Sequence, residues 1–170
     1  ELSGSLRKFV DIKNPKERLI DIVQQSELYI AEAVSVLGDA CAIAGYSGET
    51  SKRVEFYVVK DFDAPYTASV RDAIASLSPL QQNRDGAGIR HATHLLSQRH
   101  EKTKILFYLL EGLPHDFDYE GGNAIEDTKK AIIEAKRAGC IPLVLAYGSK
   151  IDDRLRSIGQ HAIYREVRNA

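Results

Sequence analysis

Carboxylates recur at Asp116, Asp118 and Glu120, just ahead of Gly121 and Asp127, and this alternation comes close to the ligand spacing of a calcium-binding EF-hand loop. The setting does not suit one. An apolar run and Pro114 precede the segment where an EF-hand needs a helix, so a solvated acidic loop facing a partner is the better expectation. His91 and His94 stand three residues apart, on one face if the segment is helical, as zinc ligands can; no third ligand lies near them in sequence. Surface or loop-packing histidines account for them. Gly45-Tyr46-Ser47-Gly48-Glu49 approaches the turn of a hydrolase nucleophile elbow but carries glutamate where the last glycine belongs. Neither a dinucleotide-binding fingerprint nor a phosphate-cradling loop with its lysine is present. Lys129, Lys130, Lys136 and Arg137 cluster around one helix and read as its solvated face.

The elements that must position such residues follow from periodicity. Asn14-Pro15-Lys16-Glu17 has the form of a helix start, with an N-cap side chain, proline at the first helical position and a glutamate to complete a capping box. Leu19, Ile22, Val23, Tyr29, Ile30, Ala33 and Leu37 then recur at helical steps up to Gly38. Apolar runs at 41–46 and 53–59 flank a Ser-Gly-Glu-Thr-Ser loop and predict paired strands. Short helices are expected through Val70, Ile74 and Leu77 and over about 85–99. Ile105–Leu110 lacks alternation, as a strand covered on both faces should. A second capping-box pattern, Asn123 with Glu126, predicts a helix ending at Gly139, followed by a strand at 141–147, a helix near 152–158 and a last strand near 162–167. This alternation predicts an α/β, Rossmann-like three-layer sandwich whose sheet is mostly parallel with one antiparallel edge strand.

Composition narrows the function classes. The 170 residues carry 23 basic and 24 acidic side chains, a formal net charge of −1, so nothing draws the chain to nucleic acid. A domain of this size hides roughly two-thirds of the surface its unfolded chain exposes and needs no disulfides to fold. Cys41 and Cys140 each open an apolar run and read as small apolar filler. No apolar run approaches the roughly 18 residues of a membrane span, which predicts no membrane partner and a cytoplasmic location. The absence of methionine, even at position 1, predicts a chain that starts inside a longer protein or after processing. In open α/β sheets ligands bind beyond the carboxyl ends of the strands. Three segments qualify: Glu1-Leu2-Ser3-Gly4-Ser5, Gln82-Asn83-Arg84-Asp85-Gly86 and Glu111-Gly112.

At these segments the chain resembles a von Willebrand factor A domain, whose metal-ion-dependent adhesion site joins an Asp-x-Ser-x-Ser turn, a distant threonine and a further aspartate. Lys60-Asp61-Phe62-Asp63, Asn83-Arg84-Asp85-Gly86 with Ile89-Arg90-His91-Ala92, and Asp116-Phe117-Asp118-Tyr119 with Ile125-Glu126-Asp127-Thr128 resemble one branch of that family. It comprises the nitric-oxide-reductase activation and Rubisco-activation proteins, which work beside a MoxR-type AAA+ ATPase. The likeness runs from Glu1 to about residue 167 and implies one such domain over 1–170. It also implies a strand ahead of Glu1, or a sheet built differently. The implied ligands are Glu1, Ser3, Ser5, Asn83 and Glu111, oxygen donors suited to magnesium with room for a partner's carboxylate. Both family aspartates are glutamates here, and asparagine replaces threonine, so binding in the millimolar range is expected.

The resemblance implies a non-enzymatic adaptor that couples a MoxR-type AAA+ ATPase to a client metabolic enzyme. The expected docking rim adds Asp85, His115, Asp116, Phe117, Asp118 and Tyr119. Two alternatives use the same residues: a metal-dependent hydrolase working through Glu1 or Glu111, and a structural domain whose site has decayed.

Overall fold

The computed structural model describes residues 1–10, 16–147 and 153–167. The capping pair expected at Asn14 and Pro15 lies outside them. Helix α1 spans Leu19–Leu37, later than the expected start, with Arg18 as its N-cap. The Asp21 carboxylate accepts the Arg18 backbone N–H at 2.8 Å, the reciprocal half of a capping box. The helix ends as expected at Gly38, whose φ of 76° is the left-handed conformation glycine adopts freely.

Strands β1 (Ile43–Gly48) and β2 (Val54–Lys60) form an antiparallel pair. Helices α2 (Ala68–Ala75) and α3 (Asp85–Ser97) follow. Strand β3 (Ile105–Leu110) pairs in parallel with β4 (Ile141–Tyr147), which also pairs in parallel with β5 (Ile163–Val167). Helix α4 (Gly121–Arg137) lies between β3 and β4, and the short α5 (Asp153–Ile158) precedes β5. Helix α4 starts ahead of Asn123, so the expected capping box is not its start. Glu120 is the N-cap, and Glu126 pairs instead with Lys129 at 2.7 Å.

The layers follow from side-chain alternation. Tyr108, Leu110 and Val144 point toward Ile89 of α3, Ile125 and Ile132 of α4, and Leu155 and Ile158 of α5. Leu109 and Tyr147 face Leu2, Leu6, Leu19, Ile20 and Val23 on the other side. Helices α1 and α2 close over the antiparallel pair through Ala31, Ile43 and Ile74. The chain is thus the expected α/β, Rossmann-like layered fold, with β2 as the antiparallel strand. Its described ladders are two, of two and three strands, rather than one.

One expectation needs correction. β3 borders the three-strand ladder, and its first half is not covered on both faces: Ile105 is 45% exposed and Phe107 40%. Continuous apolarity carries no information about which neighbour is present. Here residues 2–10 and α1 cover only the carboxyl half of that face, and Ile141 and Ile163, in register beside the same row, are exposed as well. Leu110→Ala should therefore cost about 2–5 kcal/mol of unfolding free energy, the range for deleting a fully buried leucine, and Ile105→Ala less than about half of that. Urea denaturation of the two variants checks the contrast.

Candidate functional site

Residues 80–83 bring the predicted segments together. Their backbone is satisfied by three separate segments: Leu80 N–H donates to Leu2 O at 2.8 Å, and Gln81 O accepts Gly4 N–H at 2.7 Å. Gln82 exchanges two hydrogen bonds with Gly48 at the end of β1, and Asn83 N–H donates to His115 O at 3.0 Å. Buried backbone groups must be paired, so this pairing draws the amino-terminal turn, the end of β1 and the 111–120 loop to one place.

The turn of residues 3–7 forms a short 3₁₀ segment, Gly4–Arg7, behind Ser3. Glu1 Oε2 accepts the Ser3 N–H at 2.9 Å, the Ser3 and Ser5 hydroxyls lie 2.7 Å apart, and Ser5 Oγ donates to Glu111 Oε2 at 2.6 Å. Four of the five expected ligands are thus joined by one run of hydrogen bonds, from Glu1 through the Ser3 backbone N–H and the two hydroxyls to Glu111. Burial raises the Glu111 pKa, against the Ser5 hydrogen bond that lowers it, and the Glu1 charge adds to the rise. Glu1 Oε1 is buried and has no hydrogen-bond partner. The crevice beside them, about 680 Å³, is lined by Ser3, Ser5, Asn83, Glu111, His115 and Phe117 among others. Among the described residues no three His, Cys, Asp or Glu side chains converge to hold an ion by themselves. The serine hydroxyls would have to be ligands, and an orphaned carboxylate oxygen beside two hydroxyls fits a hard cation.

The fifth expected ligand, Asn83, lines the same crevice but uses both of its amide atoms in hydrogen bonds to other residues. Its amide oxygen accepts the His115 N–H at 3.0 Å, and its amide nitrogen donates to Asp85 Oδ1 at 3.0 Å. Asp85 itself, expected on the rim, is fully buried at the start of α3. Tyr46 Oη donates to the same Oδ1 at 2.8 Å, and Gly88 leaves the room this needs, since a Cβ there would lie 2.6 Å from the Tyr46 ring. Burial, with the Glu1 charge second, pushes the Asp85 carboxyl up to about 6. The Tyr108 hydroxyl, 3.5 Å from that of Tyr46, also acts on Asp85, and sequence reasoning missed both tyrosines as parts of this cluster. The only hint was a pair of hydroxyl-bearing rings inside otherwise apolar strands.

The 115–120 loop is not simply a solvated acidic loop. Asp116 is buried and accepts from Thr50 N–H and Phe117 N–H at 2.8 Å each and from Arg84 Nε at 2.7 Å. Arg84 also bonds the exposed Asp118, and its guanidinium carbon stands 4.7 Å from the Tyr119 ring centroid. Tyr119 Oη donates to Asp127 at 2.7 Å. The buried Asp116 therefore anchors the loop from inside, and the half-buried Tyr119 ties it down through its hydroxyl; charge type suggested exposure for Asp116, but its donors come from distant Thr50 and Arg84. Phe117 is 72% exposed and His115 is exposed beside it, both on the crevice. His91 packs its ring 4.5 Å from that of Phe56, and His94 meets Gln98.

Burial raises the Asp116 pKa, but the two backbone donors and Arg84 outweigh it and hold the carboxyl below its usual range. A depressed folded pKa contributes stability that is complete above the unfolded value of roughly 4 and lost as pH falls through the folded one. Arg84→Gln should cost about 3 kcal/mol at neutral pH, because it strips one partner from a buried pair. It should also flatten the loss of stability below roughly pH 4. Chemical denaturation across that pH range measures both.

No family model matches the chain. It is 37% identical over 156 residues to an uncharacterized protein of Pseudomonas aeruginosa, a match covering 91% of this chain and 25% of that one. It is 36% identical over 141 residues to Protein NorD of Stutzerimonas stutzeri, covering 82% of this chain and 23% of that one. It is also 36% identical over 123 residues to Protein NorD of Brucella suis, covering 72% and 19%. The chain spans about a quarter of the length of these relatives. Among solved structures it is similar in fold to a mutant of the PilB minor pilin from Streptococcus sanguinis. That match has a TM-score of 0.69 and 13% identity, covering 99% of this chain and 55% of that one. Over most of its own length, the chain is therefore a homologue of one region of proteins named NorD.

Proposed function

We propose that this chain is a non-enzymatic interaction module of the von Willebrand factor A type, docking a protein partner at the crevice beside Glu1, Ser3, Ser5 and Glu111 with a magnesium ion as part of the contact. The observation that carries the reading is the juxtaposition of the hydrogen-bonded run Glu1–Ser3–Ser5–Glu111 with the exposed Phe117 beside one open crevice. An aromatic anchor beside a site that can hold a cation is an arrangement for binding a partner's apolar and carboxylate groups together. The ion supplies a positive pole. The chain's own residues supply the rest: Ser5 holds Glu111 in place, and the Arg84–Asp116 anchor fixes the loop that carries Phe117.

The motif resemblance, joined by relatives named NorD, supports the nitric-oxide-reductase activation side of that family branch. On this reading the partner is a MoxR-type AAA+ ATPase, and the pair activates or remodels a client metabolic enzyme. The glutamates in place of aspartates set the cation affinity in the millimolar range.

Phe117→Ala and Glu111→Ala should each weaken capture of the ATPase, Phe117→Ala by about 2 kcal/mol, the usual scale for truncating an aromatic anchor. The melting temperature of Phe117→Ala should stay near that of the unaltered protein, because the ring is largely exposed. Quantitative pull-down with the purified ATPase, run beside thermal melts, checks this. A Phe117→Ala protein that melts early but binds normally would show that the ring serves the fold instead.

A further inference from the structure

The crevice does not end beside Glu111. A second cavity, of about 290 Å³, shares Arg7, Glu49, Leu80 and Gln81 with it and continues to Arg53, Glu55 and Tyr57. The two cavities make one groove with an exposed aromatic ring at each end, Phe117 in the first and Tyr57 in the second.

The charges along this groove are unevenly satisfied. Its acids all have donors on this chain: Arg53 pairs with Glu49 at 3.3 Å and with Glu55 at 2.8 Å, and Glu111 accepts the Ser5 hydroxyl at 2.6 Å. His115, at the Phe117 end, stands 3.4 Å from Glu120. Two further cations line the groove without an acid. The Arg7 guanidinium donates to Pro79 O at 2.8 Å and Leu80 O at 3.2 Å, and no carboxylate pairs with it among the described residues. The neighbouring Lys8 ammonium has neither an ion pair nor a hydrogen bond among them. Its charge acts on Glu111 only from beyond pairing distance. Lys8 is nonetheless held at its root, because its N–H donates to Ser5 O at 3.0 Å and its carbonyl accepts Leu19 N–H at 3.0 Å.

A hydrated cation on an open wall costs nothing by itself. Once a segment lies in the groove, Arg7 and Lys8 lose water, and a neutral or basic segment would leave them covered and unpaired. An acid at that point restores the balance.

We infer that the groove takes an extended segment of the partner protein, with an acidic residue opposite Arg7 and Lys8 and an apolar side chain against each of Phe117 and Tyr57. This rests on the docking reading above and adds to it the far half of the groove and two selecting cations. The acid in question pairs with the protein's own cations and is distinct from a carboxylate on the ion.

The test uses the full-length protein and the purified ATPase. Zero-length carbodiimide coupling joins an amine to a carboxylate in contact with it, so in the complex it should link Lys8 to an aspartate or glutamate of the ATPase, read by mass spectrometry. Lys8→Glu should weaken capture at least about ten-fold at low salt, and the deficit should shrink at about 0.5 M salt as screening sets in. Hydroxyl-radical footprinting of the unaltered complex should show Tyr57 protected together with Phe117, a reading that needs no variant to fold. Capture by Lys8→Glu at the unaltered level, or a complex in which Lys8 forms no link to the ATPase or couples only to a second copy of this chain, would overturn the inference. So would a protected Phe117 beside an unprotected Tyr57, and each of these results leaves docking at the crevice intact. No capture of the ATPase by the unaltered protein would overturn both.

Discussion

The backbone of residues 80–83 is the constraint on which the rest of the site depends. These residues belong to no helix and to no named strand, so their N–H and C=O groups must find partners elsewhere, and they find them in three segments at once. The amino-terminal turn, the end of β1 and the 111–120 loop are far apart in sequence. Each on its own is a polar turn without a defined place. Stitched to one short segment, they put hydroxyls, carboxylates and an exposed aromatic ring around a single crevice.

Two buried carboxylates give this region its electrostatic character, and they are treated in opposite ways. Asp116 is saturated by two backbone donors and Arg84, which makes it an internal clasp that holds the 115–120 loop in shape. Asp85 receives Tyr46 and Asn83 on one oxygen, with the Tyr108 hydroxyl and the Glu1 charge also acting on it. A protein interior tolerates the first arrangement indefinitely. The second raises the pKa of the Asp85 carboxyl, because burial and then the Glu1 charge disfavour its ionised form. The fold thus stiffens the 115–120 loop and leaves a neighbouring carboxyl, Asp85, reluctant to ionise.

Much of the fold could be read from sequence because it rests on local patterns. The bounds of β3 and β4 coincide with apolar runs, and Gly38 ends α1 where its backbone freedom allows. What the sequence hid was long-range pairing. Asp116 has the composition and spacing of a solvated residue, and only the approach of Thr50 and Arg84, dozens of residues away, buries it. Asp85 has the same ambiguity: a charged residue at a helix start is expected at the surface, and two tyrosines in apolar strands gave little sign that a carboxylate would be drawn inside. The bare half of the β3 face was hidden for a related reason, since an apolar run shows what a strand can bury and not which neighbour buries it.

Anomalous diffraction from crystals grown with millimolar manganese tests the central claim, a cation at the docking crevice, most directly. The account predicts a single anomalous peak within reach of Glu1, Ser3, Ser5 and Glu111, on the side where Glu1 Oε1 is unpaired. Manganese seated only on surface carboxylates, with the crevice empty, would contradict it.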